Sequence, residues 1–255
     1  LKIGGFYFGF FLISLAFFYS IKKKLFYFLL LIFLVTSFLV GERANFVKVF
    51  LGISIFYFFL IDISLKKKFL FIGIFFLFFS ILFNSQKEFK NRYFKQIFFG
   101  KEKTVFNHIY NSNRHILHYR TAIKMFKENP FFGVGVKNFR NQSLNEKYFV
   151  INSFSSSSTH PHQIHFEILS EHGLLGYILI ATLLIKYIFS KLRYMVKNDL
   201  IFEFSLAFVL LVFFTPFIPS GSLFSSYSGS FFWLILSILN YRLISLNKKK
   251  IIKNE

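Results

Sequence analysis

The sequence predicts an all-α fold: a polytopic transmembrane helical bundle with one large, partly helical extracytoplasmic loop. Three observations predict it. The 255-residue chain is 55% hydrophobic with a mean hydropathy of +0.53. Its apolar residues come in long runs, not in the short alternations of a soluble domain. Its lysines gather in blocks at the ends of those runs. A net charge of +20 raises nucleic acid as a partner, but charge placed at the ends of apolar runs reads as membrane topology, so no nucleic acid is expected. The absence of cysteine excludes disulfide frameworks, thiolate nucleophiles and Cys-based zinc sites, and leaves the redox compartment open.

A bilayer core about 30 Å thick takes about 20 apolar residues of helix, with about 17 as the lower limit. Seven segments fit, at residues 3–21, 25–40, 46–65, 69–83, 173–189, 200–218 and 223–239, the second and fourth extending into their flanks. With seven spans the basic stretches at 22–24, 66–68, 186–197 and 248–250 all fall on one face, which is cytoplasmic by the positive-inside rule. The loop from 84 to 162 is then external; its own basic charge is no obstacle, because loops above about 60 residues translocate largely regardless of charge. The chain divides into four transmembrane helices (1–84), a large extracytoplasmic loop (85–162), three transmembrane helices (163–247) and a basic cytoplasmic tail (248–255). The first apolar run has no basic region before it and no cleavage site after it, so it reads as a retained span behind a truncated start.

Within the loop, Ile109, Ile116, Tyr119, Ile123 and Phe126 are spaced as one face of a helix over 103–128, which ends at Asn129-Pro130 because proline disfavours helix in the residue before it. FFGVGVKNF follows, with glycines that permit tight turns and close backbone approach. A serine run then delivers the chain to His160.

The segment THPHQIHFEILSEHG, 159–173, holds four histidines and two glutamates. Pro161 suits the first turn of a helix, so the fifth span is expected to begin near His162. At about 100° per residue, His162, His165, Leu169, His172, Gly173 and Gly176 share one face, with Glu167 and Glu171 opposite. A metal shell of His160, His162 and His165 would lack a nearby Cys or Asp, so no metal is expected. His160, His165 and His172 read as solvated residues of an interfacial helix cap. For His162 the positive end of the helix dipole disfavours imidazolium and leaves a neutral general base, while attracting phosphate.

HPHQIHFEILSEHGLLG resembles the signature of the O-antigen ligase and polymerase family of bacterial membrane glycosyltransferases: a histidine followed by Asn, Ser or Gln, then nine residues, then glycine. Here these are His162, Gln163, the nine residues 164–172 and Gly173. NPFFGVGVKNF resembles that family's proline, GVG and phenylalanine element, GERAN its arginine turn, and FWLILSIL is a weaker echo in the last span. Together they cover most of 41–239 in the family's order. The resemblance implies transfer of a glycan from an undecaprenyl-pyrophosphate carrier to an acceptor hydroxyl, of lipid A core or similar, without metal or other cofactor. It places the site on the periplasmic side of the bacterial cytoplasmic membrane, and implies further spans before residue 1.

On the same basis His162 takes the acceptor's proton, and Arg43 and Arg120 hold the pyrophosphate, a task suited to a planar guanidinium that stays charged. Gln163 and Glu171 complete the implied substrate-binding set, although from the residues alone Glu171 reads more simply as structural. Arg114 and Arg140 stand in reserve. Asp62 with Lys66, four residues on, reads as a local ion pair, and Glu203 likewise. The alternatives are a polysaccharide polymerase of the same family, transfer to a protein hydroxyl, or a transporter or flippase of lipid-linked sugars. Transporters show paired repeats and broken midplane helices; here the polar groups gather in the outer loop, which favours chemistry.

Overall fold

A computed structural model of the chain describes residues 7–60, 64–85, 87–99, 104–151, 156–225 and 227–254. Asp62 lies outside them. The apolar runs become helices because aliphatic and aromatic side chains on every side leave no polar face for water. In chain order these are α1 (Tyr7–Ile21), α2 (Lys23–Leu39), α3 (Arg43–Leu60) and α4 (Leu65–Ser85). Short turns α5 (Lys87–Lys90) and α6 (Gln96–Phe98) lead into the loop helices α7 (Val105–Ser112), α8 (Arg114–Glu128) and α9 (Phe139–Gln142). The chain closes with α10 (Ile164–Lys197), α11 (Ile201–Phe213) and α12 (Ser228–Asn254). No β-strand occurs among the described residues, and the fold is all-α as the sequence predicts.

Among the described residues three helices are long and apolar enough to cross a membrane, Leu65–Ser85, Ile164–Lys197 and Ser228–Lys248; other apolar helices, such as α11, are shorter. The core forms where α1 packs against α2, α3 and α11, and where α11 packs also on α10 and α12. Leu15, Leu30, Val49, Leu210 and Phe232 are fully buried there. The outer side of α4 is different: Phe69, Leu70, Ile74 and Leu77 are all more than half exposed. Such a surface is stable against hydrocarbon, which is as apolar as the side chains themselves.

The loop and α10 meet through backbone. Gly173 has φ 65°, ψ −166°, which interrupts α10 and leaves carbonyls and N–H groups without helical partners. The glycine-bearing turn after Pro130 supplies those partners. Leu174 N–H donates to the Pro130 carbonyl (2.7 Å) and Leu175 N–H to that of Phe131 (3.2 Å), while Val134 and Gly135 N–H groups donate to the carbonyls of Ser170 (2.8 Å) and Glu171 (3.0 Å). Side chains would keep the two backbones apart. A Cβ on Gly173 would collide with the Phe131 backbone, and one on Gly133 (φ 68°) with the Glu171 backbone.

Three expectations change. The single helix over 103–128 is two, because Asn113 takes an extended conformation (ψ 113°) and uses its side chain to cap the second. The buried face of that second helix is Leu117, His118, Thr121, Ala122 and Met125 together with Tyr119, while Ile123 is exposed. Glu203 is no local pair: buried in α11, it accepts from Arg242 Nη2 at 2.7 Å, joining α11 to α12.

Gly133→Ala and Gly173→Ala are each expected to destabilise the detergent-solubilised protein by at least the roughly 1–3 kcal/mol of a strained φ/ψ, with the clash in addition. A methyl group placed on Gly73 of α4 would meet nothing within 4 Å, so Gly73→Ala should be neutral or stabilising by up to about 1 kcal/mol. Thermal unfolding of the three variants checks the contrast.

Candidate active site

His162 lies before the helix, not on it. The first helical residue is Ile164, and Gln163 is the N-cap (φ −155°). Its amide oxygen accepts from the N–H groups of His165 (2.7 Å) and Phe166 (3.2 Å), and its amide nitrogen donates to the Thr215 carbonyl (3.3 Å). Gln163 is buried, so the residue expected to bind substrate shapes the helix start. His162 itself has φ 59°. That turn is fixed by the α11–α12 connection: Ser220 N–H donates to the His162 carbonyl (2.7 Å), Ile164 N–H to Ser220 Oγ (3.0 Å), and Leu223 N–H to Glu167 Oε2 (3.0 Å).

The ring of His162 sits among three other imidazoles. Centroid distances are 4.1 Å to His160 and 5.4 Å to both His115 and His118. The last two are three residues apart on α8, hence neighbours on its surface. Nε2 of His162 lies 3.1 Å from the Ser158 hydroxyl, and His118 Nδ1 lies 3.1 Å from the Ser156 carbonyl. Burial, reinforced by His160, His115 and His118, pushes His162 down to about 3. Burial, with the charges of His118 and Arg140, pushes His160 down to about 4. Burial also lowers His115, helped by His118 and Arg43. His118 is lowered by burial too, against the opposing bond to Ser156. All four rings are therefore neutral at pH 7. Among the described residues no three His, Asp or Glu side chains are disposed to share a metal ion.

Two clefts open beside these rings. The larger, of about 650 Å³, lies between the start of α3, His115, His162 and the 219–228 loop. Lys48 of α3 lines it, is 4% exposed and donates to the Pro219 carbonyl at 2.9 Å. A buried ammonium where the helix turns apolar is costly enough to point to a ligand or a relay. The second cleft, of about 530 Å³, lies between the 137–141 turn and the 222–225 loop, with Glu167 and Glu171 in its wall. Thr159, His160, Ser222 and Ser225 line both clefts, so the two meet at His160.

The remaining expected residues fall in different places. Arg43 begins α3 and acts electrostatically on His115. Arg120 stacks on Tyr110 (3.7 Å) and donates to the Tyr110 carbonyl and Asn111 Oδ1, so it ties α8 to α7. Glu171 accepts from the N–H groups of Lys137 (2.8 Å) and Phe139 (3.1 Å), holding the left-handed Lys137 turn. Arg114 acts on His118, and Arg140 lines the second cleft. The other histidines are packed instead of solvated. His165 bonds Tyr177 Oη (2.9 Å) and the Phe214 carbonyl (2.8 Å), and His172 stacks on Phe224 at 4.7 Å. Sequence reasoning missed His115, His118 and Lys48. The signals were there: histidines at i and i+3, and one lysine inside an apolar run.

The four depressed imidazoles bind protons less readily folded than unfolded. Between their folded values and the ordinary 6.5, the unfolded chain therefore takes up more protons and stability rises with pH. The contribution of His160 and His162 is present above pH about 6.5 and is lost as the pH falls through 4 toward 3, and His115 and His118 act in the same direction. Unfolding followed from pH 7.5 to 4 should show this acid lability, and His160→Gln should flatten it.

No curated protein and no solved structure matches the chain. A family model described as O-antigen ligase matches residues 28–181, which runs from α2 across the loop and both clefts' histidines into α10 and spans more than half of the 255 residues. The chain belongs to the O-antigen ligase family.

Proposed function

We propose that the chain transfers a glycan from an undecaprenyl-pyrophosphate carrier to an acceptor hydroxyl at the outer face of the bacterial cytoplasmic membrane. Family membership gives glycan transfer of the ligase or polymerase type. The finer reading is supported above all by one observation: the imidazole of His162 lines the larger cleft beside His160, where the second cleft joins it, and the buried ammonium of Lys48 lines the same larger cleft.

Two neighbouring faces of α3 suit the two halves of a lipid diphosphate. One carries Asn45 and Lys48 into the His162 cleft. The other carries Phe46 and Phe50 into an apolar recess of about 360 Å³, shared with Phe38, Phe79 and Tyr93. An isoprenoid tail fits the second while its diphosphate is held at the first by Lys48, with Arg43 at the start of the same helix. In the step itself, the acceptor oxygen attacks the anomeric carbon while its proton passes to Nε2 of His162. The bond from that carbon to the carrier oxygen breaks, and the diphosphate leaves with the electron pair. One displacement inverts the anomeric centre, and the protein's cations meet the leaving charge. Ser158 Oγ, 3.1 Å from Nε2, marks where the acceptor hydroxyl would sit.

A base pushed down to about 3 is available but weak, and general-base catalysis works best near the operating pH. A bound diphosphate supplies the opposite charge that raises it. Donor binding thus prepares the base. In this reading seven helices span the membrane, the 85–162 loop is external, and the acceptor alone separates ligase from polymerase.

His162→Ala should abolish glycan transfer in a complementation assay while the protein persists in the membrane at normal level. Product at the unsubstituted rate would overturn the proposal.

A further inference from the structure

None of the residues proposed above to hold the carrier lines the second cleft, and its chemistry differs from that of the first. We propose that it is the acceptor-sugar subsite, and that it favours a sugar bearing a carboxylate or phosphate; this rests on the glycan-transfer reading above. Position comes first. No α3 residue lines this cleft, and it joins the first at Thr159 and His160, beside His162, so a ring lodged in it would direct a hydroxyl toward His162 past those two residues. The volume, about 530 Å³, lies within the usual range for small-molecule sites.

The lining suits a hydroxylated ring. The exposed Asn141 amide offers both a donor and an acceptor. Phe224, fixed against His172 at 4.7 Å, adds an apolar surface.

The charges divide by depth. Glu167 and Glu171 are each 2% exposed. Glu171 is already held by two backbone N–H groups and has Lys137 beside it, and Glu167 is held by the Leu223 N–H and the Ser222 side chain. They remain acceptors for sugar hydroxyls, and their charge stays at the buried floor of the cleft. Arg140 is exposed and its guanidinium makes no hydrogen bond or ion pair among the described residues. The charge a ligand meets at the exposed rim, on Arg140 and Lys137, is therefore positive, and a planar guanidinium matches a carboxylate or phosphate in pairs.

The test uses the full chain in nanodiscs, without donor, so its outcome is independent of whether His162→Ala stops transfer. Methyl glucuronide, methyl glucoside and inorganic pyrophosphate are the probes, with affinities read by ligand-observed NMR titration. The glucuronide should bind about tenfold more tightly than the glucoside, the scale of one charge-assisted hydrogen bond, and the difference should shrink with added salt. Arg140→Gln, which breaks no bond within the protein, should remove that difference and leave the pyrophosphate affinity unchanged; Lys48→Met should do the reverse. Equal binding of the two sugars by the unsubstituted protein overturns the proposal. So does loss of pyrophosphate affinity in Arg140→Gln, which would assign the cleft to the donor's phosphates.

Discussion

The contact on which the rest of the structure depends is between two stretches of backbone. At Gly173 the long helix lets go of its own ladder, and the turn after Pro130 takes up the freed groups. Backbone N–H and C=O groups buried near a membrane must be paired, and here each partner exists only because the other is broken in the same place. The carboxylate of Glu171 extends the joint by fixing the next turn. Through it the loop is registered on the helix, and with the loop come α8 and its two histidines.

A second set of bonds does the same for the opposite wall. Ser220, Leu223 and Thr215, all between α11 and α12 or at their edge, bond to residues 162–167. The site is thus made from the ends of elements far apart in sequence and clamped from two sides. The enclosure that results explains the electrostatics. Rings drawn out of water and set beside one another resist protonation, so a strongly basic protein keeps a patch of neutral bases next to its cations.

Much of the fold was legible because apolar length is a direct physical signal in a membrane protein: α2 and α4 begin and end close to the runs read from sequence, whereas α10 and α12 run on past theirs into polar and basic residues. The spacing from His162 to Gly173 was legible too, because both ends are fixed by backbone constraints. What was not legible was conformation at single residues. Pro161 can open a helix, yet the two residues after it stay outside because Gln163 caps more effectively than His162 could. The face of α8 was misjudged because its buried side includes His118 and Thr121, which a search for apolar periodicity passes over. Arg120 and Arg140 have equal claims by chemistry; only the position of Tyr110 and Asn111 separates the arginine that braces two helices from the one that faces a cleft.

In the proposed reaction one imidazole is uncharged before ligand binds and becomes a better base when a diphosphate arrives beside it. The 15N shifts of His162, titrated in the full chain with and without inorganic pyrophosphate, measure this directly. The expected ring stays neutral down to well below pH 6 when alone and takes up its proton at distinctly higher pH once pyrophosphate is present. A ring already protonated at pH 6 without pyrophosphate, or a titration that pyrophosphate leaves unmoved, would contradict it.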